Sequence, residues 1–453
     1  MSSASPSTAT IPADLLPDLV AAALRAGADA AEAVSAESAA LSVGVRNGTL
    51  EEVEREESRD LGLRVFIGKR QATVSASDLS DATRSRLVER AVAMARLAPE
   101  DPYCGLAPQD RLARGPFPDL DLFDGTHRTA AELEAAAVAT EAAAMAVEGV
   151  ARSEGGHASS STSRWRLVTS DGFDGAYHGS GFGLGVGVIA EKDGAMERGG
   201  EHRHTRHLSD LPGADAIGAE AGRRAVARTG PRKIASMTAP VIFENRIAGQ
   251  VISPLLGAIS GPSIARGSSF LKDRMGQAVL PSGVHLIDDP FRSRGLGSTP
   301  FDDEGVAVKR QSIIDDGVLT TWLMNHAAAA QLGLASTGHA ARGLAGPPGV
   351  STHNLHMEAG ERDLAGLMAD AGTGLLVTSM FGPSLNPNTG DWSAGVSGFW
   401  FEAGELAYPV SEVTVAGKLP DIYLRLVHGS DLEFRSSFNV PSLMFDALAI
   451  AGK

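Results

Sequence analysis

The chain has little cysteine, few aromatic residues and no long apolar segment. Cys104 is the only cysteine among 453 residues, so the sequence contains no internal disulfide and no Cys-x-x-Cys metal-binding pair. Aromatic residues make up 5% of the chain, and its cores must therefore consist mainly of small aliphatic side chains. No run of about 18 apolar residues occurs, so no membrane partner is expected. Because the N-terminus also lacks a basic start followed by an apolar segment, we expect a cytoplasmic protein.

Positive charge is also scarce. The sequence has 40 Lys and Arg against 55 Asp and Glu, which gives a formal net charge of −15. Nonspecific binding to nucleic acid requires clustered basic side chains facing the phosphates, so we expect no nucleic-acid partner. The 43% apolar and 21% charged content is typical of globular proteins. A chain of this length is expected to form two or three domains.

Two stretches of the N-terminal half show the same order of predicted elements, helix–strands–helix. In the first, Asn47-Gly48 predicts a hairpin turn, because both residues tolerate positive φ. The predicted elements of the first stretch are a helix at Asp14–Ala33, strands at Ala40–Val45, Leu61–Ile67 and Gln71–Ser75, and a helix at Asp81–Leu97 capped by Asp81. Those of the second are a helix at Ala130–Val147, strands at Arg164–Thr169 and Gly181–Ala190, and a helix at Ala214–Arg228.

Beyond Gly230-Pro231 the sequence becomes rich in predicted strands. Helices are predicted only at Asn245–Ile259 and near Asn325–Leu332, and the clearest strands are Gly374–Ser379, Gly398–Glu402, Val410–Val415 and Leu443–Ile450. We therefore expect an α+β fold, with N-terminal α/β layers followed by a barrel-like C-terminal domain. The expected parts are a flexible tail (1–12), a first α/β subdomain (13–100), a connector (101–126), a second α/β subdomain (127–230) and a β-rich C-terminal domain (231–453).

Several segments carry a resemblance to a known family. They are the block Ala239–Val306, which contains ENRIAGQVISPLLGAISGPS, the segment Val45–Ser80, STGHA at Ser336–Ala340, TGLLVTSMFG at Thr373–Gly382, and Thr389–Leu419. In this order and over the full length, the chain resembles the TldD/PmbA family, once called modulators of DNA gyrase, and specifically its TldE (PmbA) branch.

The resemblance implies a zinc site that this chain lacks. In the TldD branch the helix matching Asn245–Ile259 carries a His-Glu-x-x-x-His motif, whose His, Glu and His fall near Ile252, Ser253 and Gly257 here. Helical zinc proteases need such residues as ligands and general base. The TldD branch also uses a late cysteine, and the Ser436–Phe438 region has none. We therefore expect no catalytic residue, metal or cofactor on this chain.

Other candidate sites have ordinary structural explanations. His202 and His204 would point the same way on a strand, and with His207 they form a possible weak metal cluster, although neighbouring arginines would repel a cation. A solvated face or a partner contact explains these histidines equally well. Turn and cap roles are predicted for the acidic residues Asp288-Asp289, Asp302–Glu304 and Asp315-Asp316. For His339 we predict a structural hydrogen bond. The Ser-x-x-Lys pattern at Ser269–Lys272 is interpreted as a chance match to the motif of some serine hydrolases.

The resemblance implies a function shared between two chains. TldD and TldE proteins form heterodimers with zinc on the TldD chain, and they trim small or unfolded peptides or peptide-like natural-product intermediates. This chain would then shape the substrate cavity, and its glycine-rich strands could bind a peptide by strand addition. The alternatives are a stand-alone homodimeric peptide-binding protein without catalysis and a hydrolase that uses the histidine cluster. The residues that would contact a substrate are not identified by the sequence.

Overall fold

The computed structural model describes residues 11–452, so most of the predicted tail 1–12 lies outside the described residues. The N-terminal half contains four helices and six strands. In chain order these are α1 (Leu15–Arg25), β1 (Ala30–Arg46), β2 (Thr49–Ile67), β3 (Arg70–Ala76), α2 (Asp81–Leu97), α3 (Ala130–Met145), β4 (Val150–Thr169), β5 (Asp174–Lys192), β6 (Ala195–Thr205) and α4 (Ala214–Ala227).

These strands form one antiparallel sheet in the order β3-β2-β1-β4-β5-β6, which curves into a half-barrel. The two helix–strands–helix units lie side by side, since β1 of the first pairs with β4 of the second along nearly its whole length. The predicted hairpin is present: Asn47 and Gly48 join β1 to β2 with φ of 52° and 72°. Helices cover one face of this sheet, α1 and α2 over the first unit and α3 and α4 over the second.

The predicted first helix was too long. Helix α1 ends at Arg25, and β1 begins at Ala30, within the stretch assigned to the helix. Ala31, Ala33 and Val34 are fully buried strand residues. All three pair with β2, and Ala33 and Val34 also pair with β4. Alanine is the strongest helix former, but intrinsic propensity is readily overridden by tertiary context, and pairing with neighbouring strands outweighs it here.

The C-terminal half contains five helices and thirteen strands. They are β7 (Met237–Phe243), α5 (Asn245–Ala258), α6 (Gly261–Ala265), β8 (Leu286–Asp288), β9 (Gln311–Asp315), β10 (Val318–Leu319), α7 (His326–Leu332), β11 (Ala340–Ala341), β12 (Gly349–Val350), β13 (Leu355–Met357), α8 (Leu364–Ala371), β14 (Gly374–Leu385), β15 (Asp391–Glu402), β16 (Glu405–Lys418), α9 (Leu419–Tyr423), β17 (Leu426–His428), β18 (Phe438–Asn439) and β19 (Leu443–Ala451).

A six-stranded sheet closes into the C-terminal barrel. Its order is β16-β15-β14-β7-β19-β17, and a further pairing of β16 with β19, at Thr414–Ala416, closes the ring. The residues of β7 alternate between two cores. Val241 and Phe243 pack with α5 in the large core, whereas Ile242 packs against α8. A smaller sheet, β10-β9-β8-β13-β18, lies beside the barrel, and the α+β fold with a barrel-like C-terminal domain is confirmed.

Candidate functional site

Helix α5 lies where the family resemblance places a zinc motif. It follows β7 directly and buries Val251, Ile252 and Leu255 completely in the large core. Ser253 and Gly257 are exposed instead, so the three motif positions Ile252, Ser253 and Gly257 do not share one face of the helix. The side chains of isoleucine and serine and the bare backbone of glycine offer neither an imidazole nor a carboxylate to a metal ion.

The late segment near residues 436–438 packs against the outer side of α5. A Cβ atom built on Gly249 would lie 3.5 Å from a ring carbon of Phe438. Asn245 donates its side-chain amide to the carbonyl of Asp431, 2.7 Å away, at the start of the same segment. The Ser436 hydroxyl bonds the Phe438 carbonyl at 2.8 Å. The two sequence regions that lack zinc ligands are therefore neighbours in the fold.

The histidines of β6 do not form a three-ligand cluster. His202 and His204 are both exposed, and each lies over a glycine of β5, as the same-face prediction for a strand requires. His207 is directed elsewhere, and its Nε2 lies 2.9 Å from the carbonyl oxygen of Asp121. Although part of the His204 side chain is exposed, the surrounding protein desolvates the ring and lowers its pKa, and the nearby Arg206 adds to this effect. This surface fits the solvated or partner-contacting face more closely than a metal site.

Strand addition at the glycine-rich strand β5 is excluded by its position. β5 pairs with β4 on one side and with β6 on the other, so its backbone groups are already used. The open edges of this sheet are β3 and β6. The alternating glycines instead leave space for histidine rings from neighbouring strands, since a Cβ at Gly185 would lie 2.5 Å from an atom of the His157 ring.

A buried cluster that sequence reasoning missed joins Asp288, His339 and His353. Asp288 ends β8, His339 precedes β11, and His353 precedes β13. The Asp288 Oδ2 atom lies 2.7 Å from Nδ1 of His353 and 3.2 Å from Nε2 of His339. Its Oδ1 atom accepts the backbone N–H of His353 at 2.8 Å. The turn role predicted for Asp288 was wrong, whereas the structural hydrogen bonds predicted for His339 are present.

The electrostatics of this cluster favour a charged carboxylate at Asp288. Burial by itself raises the pKa of Asp288, but the hydrogen bonds from His339 and His353 outweigh it and lower the pKa to about 2. Burial also lowers the pKa of His339, despite the hydrogen bond to Asp288. The only sequence feature that drew attention to this cluster was the STGHA segment, which contains His339. That segment does not indicate that Asp288 and His353 lie beside it.

The acidic run Asp302–Glu304 is buried between the two halves of the chain. Burial, with the adjacent Glu304 carboxylate, raises the pKa of Asp302 well above its usual range, and burial raises the pKa of Glu304 to about 7. Nearby, Glu32 of β1 pairs with Arg64 at 3.2 Å and also with Arg342. The turn bonds predicted for Asp302 are present, since it accepts the backbone N–H of Glu304.

A second ion network connects the half-barrel to the segment beside α5. Glu201 of β6 is 7% exposed, and it contacts Arg203, Arg224 and Arg435. Arg203 and Arg435 both pair with Glu433 as well. Charged groups removed from water require such pairing, so this network fixes the late segment against β6 and α4.

The remaining predicted candidates have structural roles. Ser269 is 2% exposed, and its hydroxyl bonds the carbonyl of Ala258 at 2.6 Å, so it is not an accessible nucleophile. Cys104 is a buried free thiol whose pKa is raised by burial. Asp316 accepts the N–H of Gly283 at 2.6 Å, as its predicted turn role requires. Between residues 11 and 452, no helix is both long and apolar enough to cross a membrane.

Fold and sequence together define the class of protein. Models of the three domains of the PmbA/TldA metallopeptidases match in order: domain 1 at residues 31–95, the central domain at 123–229 and the C-terminal domain at 236–452. The chain therefore belongs to the PmbA/TldD family of metalloproteases.

Several relatives share nearly the whole length. The chain is 37% identical to metalloprotease PmbA of Escherichia coli O157:H7 over 427 residues, which covers 94% of this chain and 93% of the relative. It is 35% identical over 439 residues to a PmbA homolog of Haemophilus influenzae, and the match covers 95% of this chain and 94% of the relative.

Solved structures share the fold. A modulator-of-DNA-gyrase protein of Bacteroides thetaiotaomicron superposes with a TM-score of 0.90 at 26% identity, covering 97% of this chain and 98% of its own. TldE of Thermococcus kodakarensis gives a TM-score of 0.85 at 21% identity over 96% and 99% of the two chains, and this similarity concerns the fold alone.

Proposed function

We propose that this chain is the TldE-type, non-zinc subunit of a heterodimeric metalloprotease, whose TldD-type partner carries the catalytic zinc. The complex would trim small or unfolded peptides, or peptide-like natural-product intermediates, in the cytoplasm. This chain would complete the cavity that encloses the substrate, and it would exclude water and folded proteins from it.

One observation carries the proposal. The family fold is complete over residues 31–452, yet α5 has no His, Glu, Asp or Cys within Arg246–Ala258. Zinc-dependent hydrolysis needs protein ligands and a general base close to the metal-bound water. In this chain the facing segment offers Ser436 and Phe438, neither of which is a zinc ligand. The absence of zinc ligands on α5 supports the proposal that another chain supplies the chemistry.

The packing around α5 supports a structural role for this helix. Val251 and Leu255 are fully buried, and the Tyr423 hydroxyl donates to the Val251 carbonyl at 2.6 Å. Pro254 lies inside the helix, where it removes a backbone donor, and the Tyr423 contact stabilises the turn beside it. A helix fixed by these contacts is suited to forming a rigid side of the proposed substrate cavity.

Peptide cleavage by separate and combined subunits tests the proposal. This chain, a TldD-type protein of the same organism, and their mixture are each incubated with an unfolded peptide, with and without a zinc chelator. We expect cleavage only where the TldD-type protein is present, faster cleavage in the mixture, and loss of all activity with the chelator.

Two controls separate the alternatives. Replacing the first motif histidine of the TldD-type partner should abolish cleavage by the mixture, whereas Ser253→Ala in this chain should leave it unchanged. Chelator-sensitive cleavage by this chain alone would overturn the proposal. Tight peptide binding by a homodimer of this chain, without any complex with the TldD-type protein, would favour the stand-alone binding protein instead.

A further inference from the structure

The cluster of Asp288, His339 and His353 is distinct from the zinc position on α5. Three separate segments of the C-terminal half contribute one residue each, and the side chains are almost completely enclosed, with residue exposures of 0%, 1% and 8% respectively. Within residues 11–452, this is the one set of three or more His, Cys, Asp or Glu residues whose potential ligand atoms all lie within 4.8 Å of one another.

The distances between these atoms match the coordination sphere of a small metal ion. An ion about 2.1 Å from each atom would see pairs separated by 2.7 Å and 3.2 Å at angles of about 80° and about 100°. These angles are close to the 90° between neighbouring ligands of a five- or six-coordinate ion. The Oδ2 atom of Asp288 would be the shared carboxylate ligand.

Neighbouring polar groups orient the ligands. The Thr337 hydroxyl lies 2.8 Å from Nδ1 of His339, which leaves the Nε2 atom directed at Asp288. The side-chain amide of Gln311 lies 3.3 Å from that Nε2 atom, and rotating this amide by 180° would present its oxygen instead. Metal-binding histidines commonly have their second ring nitrogen fixed by such a partner.

We propose that Asp288, His339 and His353 bind one divalent first-row transition-metal ion. Two imidazoles and one carboxylate suit zinc, iron or manganese, whereas calcium and magnesium prefer oxygen ligands alone. An imidazole binds a metal ion through a ring lone pair, so the nitrogen of each ring that faces Asp288 would be the ligand atom. The ring proton would then lie on the other nitrogen, which in His339 faces Thr337.

The enclosure of the cluster favours a structural role for the ion, because the three side chains are almost completely shielded from solvent and therefore from a substrate. An ion here would tie the end of β8 to the segments before β11 and β13, and so connect parts of the chain that lie 51 and 65 residues apart. The site is independent of the subunit role proposed above, because none of its three residues lies on α5 or in the segment 431–437.

Metal binding by the full chain tests the inference. The protein is purified without chelator and its metal content is measured. A second portion is dialysed against a chelator and titrated with Co²⁺, whose visible absorption reports imidazole ligation, and then with Zn²⁺. We expect about one ion per chain as purified or after titration, and a higher Tm with the ion than without it.

Variants assign the ion to this cluster. His353→Ala and Asp288→Asn should each weaken binding by about 100-fold or more, since even outer-shell partners are worth about 10- to 100-fold. The matched control is the double variant His202→Ala, His204→Ala, which should keep the ion. Should the cluster variants fail to fold, the wild-type measurements alone decide the question.

Two results would overturn the inference. One is a folded wild-type chain with no stoichiometric metal, whose Tm changes with neither chelator nor added Zn²⁺; the cluster would then be a metal-free His–Asp–His hydrogen-bonded clamp. The other is an ion that survives His353→Ala and is lost in the control variant. Neither result would affect the expected peptide cleavage by the mixed subunits. The metal-site proposal and the subunit proposal can therefore be refuted independently of each other.

Discussion

Gly249 of α5 lies against the ring of Phe438, and a Cβ at position 249 would be 3.5 Å from that ring. This contact joins the helix to the late segment of the chain. Along the sequence, the missing histidines of α5 and the missing late cysteine look like two separate departures from the TldD pattern. In the fold the two regions are neighbours, because Gly249 contacts Phe438, while the motif positions Ile252, Ser253 and Gly257 lie further along the same helix.

We expect Gly249→Ala to stabilise the protein. A distance of 3.5 Å is an ordinary van der Waals contact, and alanine is favoured over glycine inside a helix by about 1 kcal/mol. In chemical unfolding, the free energy of unfolding of the variant should exceed that of the wild type by ~0.5–1 kcal/mol. Gly261→Ala is the contrasting variant, because its Cβ would lie 2.9 Å from the Leu323 carbonyl oxygen and should destabilise the fold. If the free energy of unfolding of Gly249→Ala fell by more than about 1 kcal/mol, the added methyl group would not fit against Phe438.

We expect Tyr423→Phe to destabilise α5 through the loss of a single hydrogen bond. The ring of Tyr423 is fully buried, and its hydroxyl bonds the carbonyl of Val251 at 2.6 Å. Removing the donor leaves that buried carbonyl with one partner fewer, which should cost about 1–2 kcal/mol in urea unfolding. The half-exposed Tyr103 provides the comparison, and Tyr103→Phe should change stability far less. Equal effects of the two substitutions would argue against the role of the Tyr423 hydroxyl.

Glu201→Ala should loosen the segment 431–437. Removing this buried carboxylate takes away the partner that Arg203, Arg224 and Arg435 share. Breaking a buried ion pair costs about 3–5 kcal/mol, and the cost here should be smaller because the arginines keep Glu433 and Glu220 as partners. Hydrogen exchange should accelerate in residues 431–437, and global stability should fall. Glu51→Ala removes the exposed pair with Arg46 at 3.1 Å, which should cost no more than about 1 kcal/mol. Unchanged exchange in residues 431–437 would mean that other contacts hold the segment.

The sequence predicted the arrangement of the half-barrel better than its boundaries. Helix–strands–helix order and the Asn47-Gly48 turn depend on local signals, and both are present in the structure. The start of β1 at Ala30 was missed, because alanines carry no strand preference and pairing with β2 and β4 decides their conformation. Long-range pairing of this kind leaves no local pattern in the sequence.

In the candidate site, too, local features could be predicted from the sequence and long-range contacts could not. The residue types of α5 could be judged from the sequence, since a metal ligand is either present or absent at a position. The meeting of Asp288, His339 and His353 could not, because the three residues come from segments separated by loops. Asp288 stands next to Asp289 and a proline, a pattern typical of turns, yet its carboxylate is fully buried.

Glu304 should make the protein less stable as pH rises from about 4.5 to 7. Burial raises the pKa of Glu304 to about 7, and the pull of Arg64 and the backbone N–H of His326 offsets burial only in part. Between the ordinary pKa of 4.5 and about 7, the folded state holds a proton that the unfolded state has released. Stability therefore falls with increasing pH across this window, by an amount on the order of 1–3 kcal/mol.

Glu304→Gln isolates this contribution. Its amide oxygen can still accept the N–H of His326, but the side chain no longer titrates, and it no longer contributes to raising the pKa of Asp302. The difference in unfolding free energy, wild type minus variant, should decrease between pH 4.5 and 7 and stay constant above about pH 7.5. Glu361→Gln, at an exposed position, is the control for removing a carboxylate as such. A difference that increases with pH would mean that Glu304 is ionised and stabilised by Arg64 in the folded protein.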